Sequence, residues 1–335
     1  MKTYRIAVVG ATGMVGRKFL QVLEERNLPA SEYRLFASEK SAGKTLTFFG
    51  KEYPVYPTTE KEIQAFSADI ALFSAGAAAS KEFAPVFAAG GAVVIDNSSA
   101  WRRDPDVPLV VPECNPEALK DFRKKGIVAN PNCSTIQAMV PLKALDEAFH
   151  IRRVVYSTYQ AVSGAGKQGW EDLENGVKGI PPKKFPYPIF SNVIPHIDVF
   201  LDNGYTKEED KMIFETRKIL SRPDLKITAT TVRVPVFGCH SESINLEFTT
   251  PCPADEARKV LEKTPGVVVC DDPKNNVYPM PCTAYDTDPV YVGRIRNDDS
   301  VEYGLNLWVV ADNIRKGAAT NAVQIAEKMI EMQLI

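Results

Sequence analysis

The sequence predicts an α/β fold in two parts: an N-terminal Rossmann-like domain built on a mostly parallel sheet, then an α+β domain with a larger mixed sheet. A chain of 335 residues is too long for one small core and should divide into two domains. Its first 130 or so residues alternate strand and helix patterns, which implies a parallel sheet covered on both faces. Beyond Ala129 the pattern becomes β-rich, with long strand-like runs and fewer helices.

In order, RIAVV is a short apolar run, and GATGMVGRKFLQVLEER follows with helical spacing at Val15, Phe19, Val22 and Leu23. YRLFA reads as a second strand, TLTFFGKEYPVY as a hairpin, DIALFSA as a strand, ASKEFAPVFAAG as a small-residue helix, and AVVID and LVVP as strands. The helix STIQAMVPLKALDEAF leads into the β-rich part, comprising RRVVYSTYQAV, KITATTVRVPV, SESINLEF, GVVVCD, PVYVGRIRN and VEYGLNLWVVA. GIPPKKFPYPIFSNVIP is too Pro-rich for a helix or a central strand and too apolar for a solvated linker. An ordered loop packed on a surface is expected there, as a subunit contact or an active-site lid. The final GAATNAVQIAEKMIEMQLI reads as an amphipathic helix.

Composition excludes several classes. The net charge of −2, with both signs interspersed, provides no footprint for nucleic acid. No apolar run is long enough to span a membrane, and MKTYRIAVVG reads as a strand rather than a secretion signal, so a cytoplasmic protein is expected. The six cysteines are scattered without a CxxC pair and the three histidines are dispersed, which argues against both a disulfide framework and a metal site.

Gly10, Gly13 and Gly16 lie between the first strand and the first helix. Glycine there permits a tight turn and close approach of backbone to a pyrophosphate, and the helix N-terminus adds unpaired N–H groups. The spacing is GxxGxxG rather than GxGxxG, so a ligand-free glycine turn remains the competing reading. At the end of the second strand, Ser38, Lys40 and Ser41 suit the 2′-phosphate of NADP, while Glu39 argues mildly for NAD.

Cys133, in NPNCST, stands where a helix begins, with Asn132 as a candidate N-cap. A free thiol has a pKa of about 8.5, and a helix terminus worth roughly 1 kcal/mol lowers it by less than one unit. A neighbouring base or cation has to supply the rest. His240, in FGCHSES, is the most attractive of the histidines, although it is more than 100 residues away in the chain. On local evidence a reactive Cys133 and a structural one are evenly matched, and His240 alone reads as a strand-end histidine. Together with a nicotinamide site, a nucleophilic thiol implies oxidation of an aldehyde through a thioester. Arg233 lies amid an apolar strand run, where a charge is costly unless paired or functional. Arg102 follows a sheet strand, and Glu208 and Lys211 share one helix face, where a solvated surface is the plain alternative.

Taken together, GATGMVG, SAGK, DNSSAWR, VPLVVPECN, NPNCST, YQAVSGAG, NVIPHIDVF, DNGYTKEEDKM, RVPVFGCHSES and KGAATNAVQIAE resemble the aspartate-β-semialdehyde dehydrogenase family in its bacterial form, collinearly and end to end. The resemblance implies NADP-dependent interconversion of L-aspartate-4-semialdehyde and phosphate with L-4-aspartyl phosphate. That step leads to lysine through diaminopimelate and to threonine, methionine and isoleucine. It implies Cys133 as nucleophile, His240 as general acid–base and Gln160 as orienting group. Arg233 would take the substrate α-carboxylate as a bidentate fork and Glu208 the α-amino group, with Gln160 helping to orient the substrate; Arg102, Lys211 and Asn132 would hold phosphate. Gly10, Thr12, Gly13, Met14, Val15, Gly16, Ser38, Lys40, Ser41, Ser163, Gly164 and Asn321 would line NADP, with no metal required. The resemblance also implies a homodimer, with residues 130–314 as the catalytic and dimerisation domain and residues 315–335 returning to an NADP-binding domain of residues 1–129.

Two positions depart from the family pattern. Lys40 stands where many relatives carry Arg, which loosens a planar grip on the 2′-phosphate, and His196 stands where Gln is expected and receives no role. The alternatives are a sister acyl reductase, such as N-acetyl-γ-glutamyl-phosphate reductase or an acyl-CoA reductase, and a catalytically silent NADP-binding protein. Glu208 disfavours an N-acetylated substrate, which has no ammonium to meet it.

Overall fold

The computed structural model describes residues 2–335 and divides into two compact units, Met1–Pro131 with Ala318–Ile335, and Asn132–Gly317. The first unit contains strands β1 (Tyr4–Val9), β2 (Ala30–Ala37), β3 (Thr45–Phe48), β4 (Lys51–Pro57), β5 (Ile70–Phe73), β6 (Val93–Asp96) and β7 (Ile127–Ala129). Its helices are α1 (Met14–Arg26), α2 (Glu60–Phe66), α3 (Ala77–Ala89) and, from the far end of the chain, α9 (Thr320–Glu331). The seven strands form one sheet in the order β3-β4-β2-β1-β5-β6-β7, parallel except for the β3–β4 hairpin. The order runs outward from β1 in both directions, so the turn after β1 lies at the topological switch point, where open α/β sheets bind ligands.

The glycines of that turn serve different ends. Gly10 has φ +85°, and a Cβ there would lie 2.3 Å from the Ser74 carbonyl oxygen. A Cβ on Gly16 would lie 2.0 Å from the Gly10 carbonyl oxygen, so glycine is what lets α1 seat on the strand end. Gly13 is the N-cap of α1 and supplies no side-chain cap, which leaves the first-turn N–H groups without one.

Helix α9 is amphipathic because one face completes this unit. Val323, Ile325, Ala326 and Met329 share a core cluster with Ile6, Val8, Phe19, Val22 and Leu72. A stretch of π-helix, Arg315–Ala319, precedes it, so the regular helix begins later than the sequence suggests. LVVP is not a strand; only an isolated parallel bridge from Leu109 to Ala129 forms there.

The second unit contains α4 (Cys133–Phe149), β8 (Ile151–Gln160), α5 (Lys167–Gly176), α6 (Lys207–Leu220), β9 (Lys226–Arg233), β10 (His240–Phe248), α7 (Ala254–Glu262), β11 (Val267–Val269), α8 (Pro281–Ala284), β12 (Val290–Asp298) and β13 (Gly304–Ala311). Its six strands run β11-β12-β13-β10-β8-β9 in a mixed sheet, in which β8–β9 and β11–β12 are parallel and the other pairs antiparallel. α4 lies across β8, β10 and β13, and α6 packs on β9.

The Pro-rich stretch is irregular but anchored. Asp172 accepts the N–H groups of Lys183, Lys184 and Phe185 at 2.8, 2.8 and 3.0 Å. Farther along, Ile194 bridges to Arg233 through both backbone hydrogen bonds. Ile189 and Ile194 join Val162 and Leu173 in a small core, with Phe185 packed against it, while Tyr187, Phe190 and Val193 stay exposed. This segment is therefore a wall against the end of β9, with an apolar outer edge. Among the described residues, no helix is long and apolar enough to cross a membrane and no cluster of side chains could hold a metal ion.

Candidate active site

Strand pairing assembles the centre of the second unit. Because β8 and β9 are parallel, their last residues, Gln160 and Arg233, are partners. β10 runs antiparallel to β8, so it starts at the same edge, and its first residue is His240. Facing them is the start of α4. There Asn132 is the N-cap, its Oδ1 accepting from the N–H groups of Ser134 at 3.0 Å and Thr135 at 3.4 Å, and Cys133 is the first helical residue. The Cys133 Sγ lies 3.2 Å from the His240 Nε2. Two residues 107 positions apart in the chain are thereby in direct contact.

The His240 tautomer follows from its other nitrogen. The Ala161 N–H donates to Nδ1 at 3.0 Å, so Nδ1 carries a lone pair and the proton of the neutral ring sits on Nε2, facing the sulfur. The ring is wholly buried. Burial first, and the Arg233 charge second, bring the imidazolium down to about 3, against weaker opposing effects of Glu208 and the Cys239 backbone, so the ring is neutral near pH 7.

Arg233 is a buried cation, only 5% exposed. Its Nη1 donates to the Ala161 carbonyl at 2.5 Å, its guanidinium lies 5.8 Å from the Phe185 ring, and its buried Nε has no partner. Burial pulls its pKa below the usual arginine value, opposed by Glu208 and Cys133. A desolvated guanidinium with an unused donor is a site built for an anion. Gly164 keeps the space beside it clear, since a Cβ there would approach Nη1 to 3.0 Å and the His240 ring to 3.3 Å.

Glu208 collects the neighbouring donors. Its Oε1 accepts from Asn132 Nδ2 at 2.8 Å and Gln160 Nε2 at 3.1 Å, and its Oε2 from Lys211 Nζ at 3.0 Å. Lys211 also reaches Asp198 at 2.8 Å, three residues beyond the Pro-rich wall. Burial opposes the Glu208 charge, but Lys211 and the hydrogen bonds from Gln160 and Asn132 outweigh it and hold the carboxyl down at about 2. A folded-state pKa below the ordinary 4.5 means that this carboxylate's contribution to stability is complete above about pH 4.5 and is lost as pH falls towards about 2. Glu208→Gln should therefore flatten the acid limb of a melting-temperature profile across that window. An unchanged slope would show that Glu208 is not held as described.

Sequence reasoning missed several supports. Glu215 lies seven residues beyond Glu208 on the same face of α6, and its Oε2 accepts the Asn132 N–H at 2.6 Å. That periodicity was the available signal. Glu242 lies two residues along β10 from His240, fully buried, with neither carboxyl oxygen partnered, and burial raises its pKa well above the carboxylate range. His196 stacks on Phe200 with ring centroids 4.4 Å apart.

The remaining predicted residues divide between the units. Ser163 and Gly164 follow β8 in a 3₁₀ turn of the second unit. Gly10, Thr12, Gly13, Met14, Val15 and Gly16 form the turn after β1 and the start of α1 in the first unit. Ser38, Lys40 and Ser41 form the short turn after β2, with Ser38 and Lys40 exposed. An uncapped helix start at the switch point fits the pyrophosphate of a pyridine dinucleotide. Arg102, also in the first unit, is buried and donates from Nη2 to the Asn97 carbonyl at 3.1 Å. Asn321 is wholly buried, with Nδ2 given to the Val110 carbonyl at 3.1 Å and Asn130 Oδ1 at 2.7 Å, so its donors serve the interior of that unit.

Comparison with known proteins agrees in both units. Residues 5–122 match the family model described as semialdehyde dehydrogenase, NAD binding domain, and residues 142–316 match semialdehyde dehydrogenase, dimerisation domain. The chain is 60% identical to an aspartate-semialdehyde dehydrogenase of Aquifex aeolicus, covering 99% of each chain, and 50% identical to that of Campylobacter jejuni at the same coverage. Among solved structures, aspartate semialdehyde dehydrogenase II of Vibrio cholerae complexed with ASA has a TM-score of 0.95 at 47% identity, covering 99% of both chains. The Candida albicans enzyme with NADP has a TM-score of 0.80 at 27% identity, covering 100% of both.

Proposed function

The chain belongs to the aspartate-semialdehyde dehydrogenase family, and on that premise we propose that it interconverts L-aspartate-4-semialdehyde and phosphate with L-4-aspartyl phosphate, using NADP and an acyl-thioester on Cys133. The observation that carries this reading is the 3.2 Å contact between the Cys133 sulfur and the Nε2 of a buried, neutral histidine. It lies in the same unit as the Arg233 guanidinium with its unused Nε.

The Cys133 thiol loses its proton to solvent, favoured by the Arg233 charge, the thiolate adds to the aldehyde carbon, and the carbonyl oxygen takes the charge. His240 donates its Nε2–H first to the sulfur and then to this oxyanion, and the start of α4 adds the field of its N–H groups. With the Ala161 N–H on Nδ1, the ring presents its Nε2–H to the sulfur and the oxyanion, and this is the part of the general acid–base role that the geometry supports. When bound, NADP supplies the acceptor for the hydride lost from the former aldehyde carbon. A phosphate oxygen then attacks the thioester, the sulfur leaves as thiolate, and the proton of hydrogen phosphate passes to solvent.

Each charge of the substrates meets a counter-charge. Arg233 grips the carboxylate, Glu208 the ammonium, and Lys211, Asn132 and Arg102 the phosphate, while Gln160 orients the semialdehyde. The NADP grip falls to Gly10 through Gly16, Ser38, Lys40, Ser41, Ser163 and Gly164, with Asn321 in support. The matched dimerisation domain supports a homodimer. A reducing cytoplasm suits a chain in which no two of the six cysteines form a disulfide, and the reaction stands on the route to lysine, threonine, methionine and isoleucine.

The direct test is NADP reduction by L-aspartate-4-semialdehyde with and without phosphate. Turnover should require phosphate, and Lys211→Met should raise the phosphate KM about tenfold or more while leaving the semialdehyde KM within a small factor. Equal effects on both would remove Lys211 from the phosphate site. Turnover only with an N-acetylated or CoA-linked acyl substrate would replace the reading by a sister reductase.

A further inference from the structure

We propose that Asn313 is a positioning residue that holds the Ser163–Gly164 turn in register with His240 and Cys133. The proposal rests on the functional reading above for its kinetic consequence and on geometry alone for the link itself.

Asn313 is only 3% exposed, and its amide is used at both ends. Its Oδ1 accepts the Cys239 N–H at 3.0 Å. Its Nδ2 donates to the Ser163 Oγ at 3.0 Å, and the Ser163 hydroxyl returns a hydrogen bond to Oδ1 at 3.2 Å. One side chain thus joins the turn after β8 to the residue immediately before His240.

That residue is unusual. Cys239 is buried and has φ +68°, a left-handed conformation that a non-glycine residue adopts only when its surroundings hold it there. Asn313 holds the Cys239 N–H from one side. The antiparallel ladder, in which His240 pairs with Ala311, holds the chain from the other. The turn at Cys239 sets where the His240 ring departs from the strand, so its fixation is also the fixation of Nε2.

The same short segment reaches the nucleophile. Asp312 Oδ1 accepts the N–H groups of Ile314 and Arg315, and the Asp312 carbonyl accepts the Gly317 N–H at 3.0 Å. A Cβ on Gly317 would lie 3.0 Å from the Cys133 Cβ. Residues 312–317 therefore abut Cys133, fix the turn before His240, and bind the serine beside Gly164. Only a neutral side chain with both a donor and an acceptor can make these bonds without adding a buried charge beside the histidine. The Ser163 hydroxyl, engaged with Asn313, serves this link, which leaves the backbone and Gly164 to face a ligand.

Transfer between a bound nicotinamide and a carbon held on Cys133 is sensitive to misplacement on the order of 1 Å. The test uses full-length Asn313→Ala, Ser163→Ala and the double variant. Asn313→Ala should lower kcat about tenfold and raise the NADP KM, with the phosphate KM unchanged and a larger primary isotope effect from C4-deuterated semialdehyde. Ser163→Ala should reproduce part of that loss, and the double variant should be no worse than Asn313→Ala. Amide exchange followed by mass spectrometry should accelerate across residues 161–166 in each variant, whether or not the protein turns over. Effects that multiply in the double variant, or wild-type kinetics and exchange in either single variant, would overturn the link. If Asn313→Ala does not fold, Ser163→Ala decides alone. Wild-type protein without turnover, but with the expected exchange pattern in the variants, would overturn the functional reading and leave the link standing.

Discussion

Cys133→Ala is expected to abolish phosphate-dependent NADP reduction, by about four orders of magnitude or more, while leaving the fold unchanged. The size follows from covalent catalysis: without the sulfur no thioester forms, and the remaining donors can only bind substrate. Fold retention follows from position. Cys133 is the first residue of α4, alanine is the best helix former there, and the cap belongs to Asn132. Cys133→Ser is a sharper control, because it keeps a polar atom facing the His240 Nε2–H but substitutes a far weaker nucleophile. Residual turnover in Cys133→Ala above about a hundredth of wild type would rule out the thioester route.

Arg233→Leu should raise the semialdehyde KM about a hundredfold, leave the phosphate KM nearly unchanged, and not lower the melting temperature of the ligand-free protein. A charge-assisted bidentate contact inside a buried site is worth about 3 kcal/mol, which corresponds to that factor. The stability half of the prediction is the discriminating one. In the ligand-free protein the guanidinium is desolvated, makes one side-chain hydrogen bond to a backbone carbonyl, and leaves Nε unused. Such a charge contributes little to folding, and an apolar side chain of similar reach can be neutral or stabilising. A large fall in melting temperature would mean that Arg233 is a structural residue. Equal rises in both KM values would remove its assignment to the carboxylate.

How much of this was legible in the sequence depended on range. Local patterns were readable: the GxxGxxG turn, the hairpin at residues 45–57 and the Asn132 cap all depend on residues within a few positions of each other. LVVP misled because its apolar run is buried by packing, with one bridge to Ala129 and no ladder. The Cys133–His240 contact was invisible to periodicity, because it depends on β10 running antiparallel to β8. It became an expectation only through family resemblance. Asn313 carried no motif at all, and Glu215 only its seven-residue spacing from Glu208 on α6. An asparagine after a strand and a glutamate on a charged helix are ordinary until the register shows what they touch.

The course of the backbone has a consequence for synthesis of the protein. The first unit is interrupted: residues up to Pro131 are followed by the whole of the second unit, and Ala318–Ile335 complete the first. Because Val323, Ile325, Ala326 and Met329 belong to the same core as Ile6, Val8 and Leu72, the early-made sheet lacks part of its apolar cover until α9 has been made. The second unit, contiguous from Asn132 to Gly317, has no such wait. During translation the order of maturation therefore inverts the order of synthesis: the half bearing the thiol can close first, and the half bearing the glycine turn closes last.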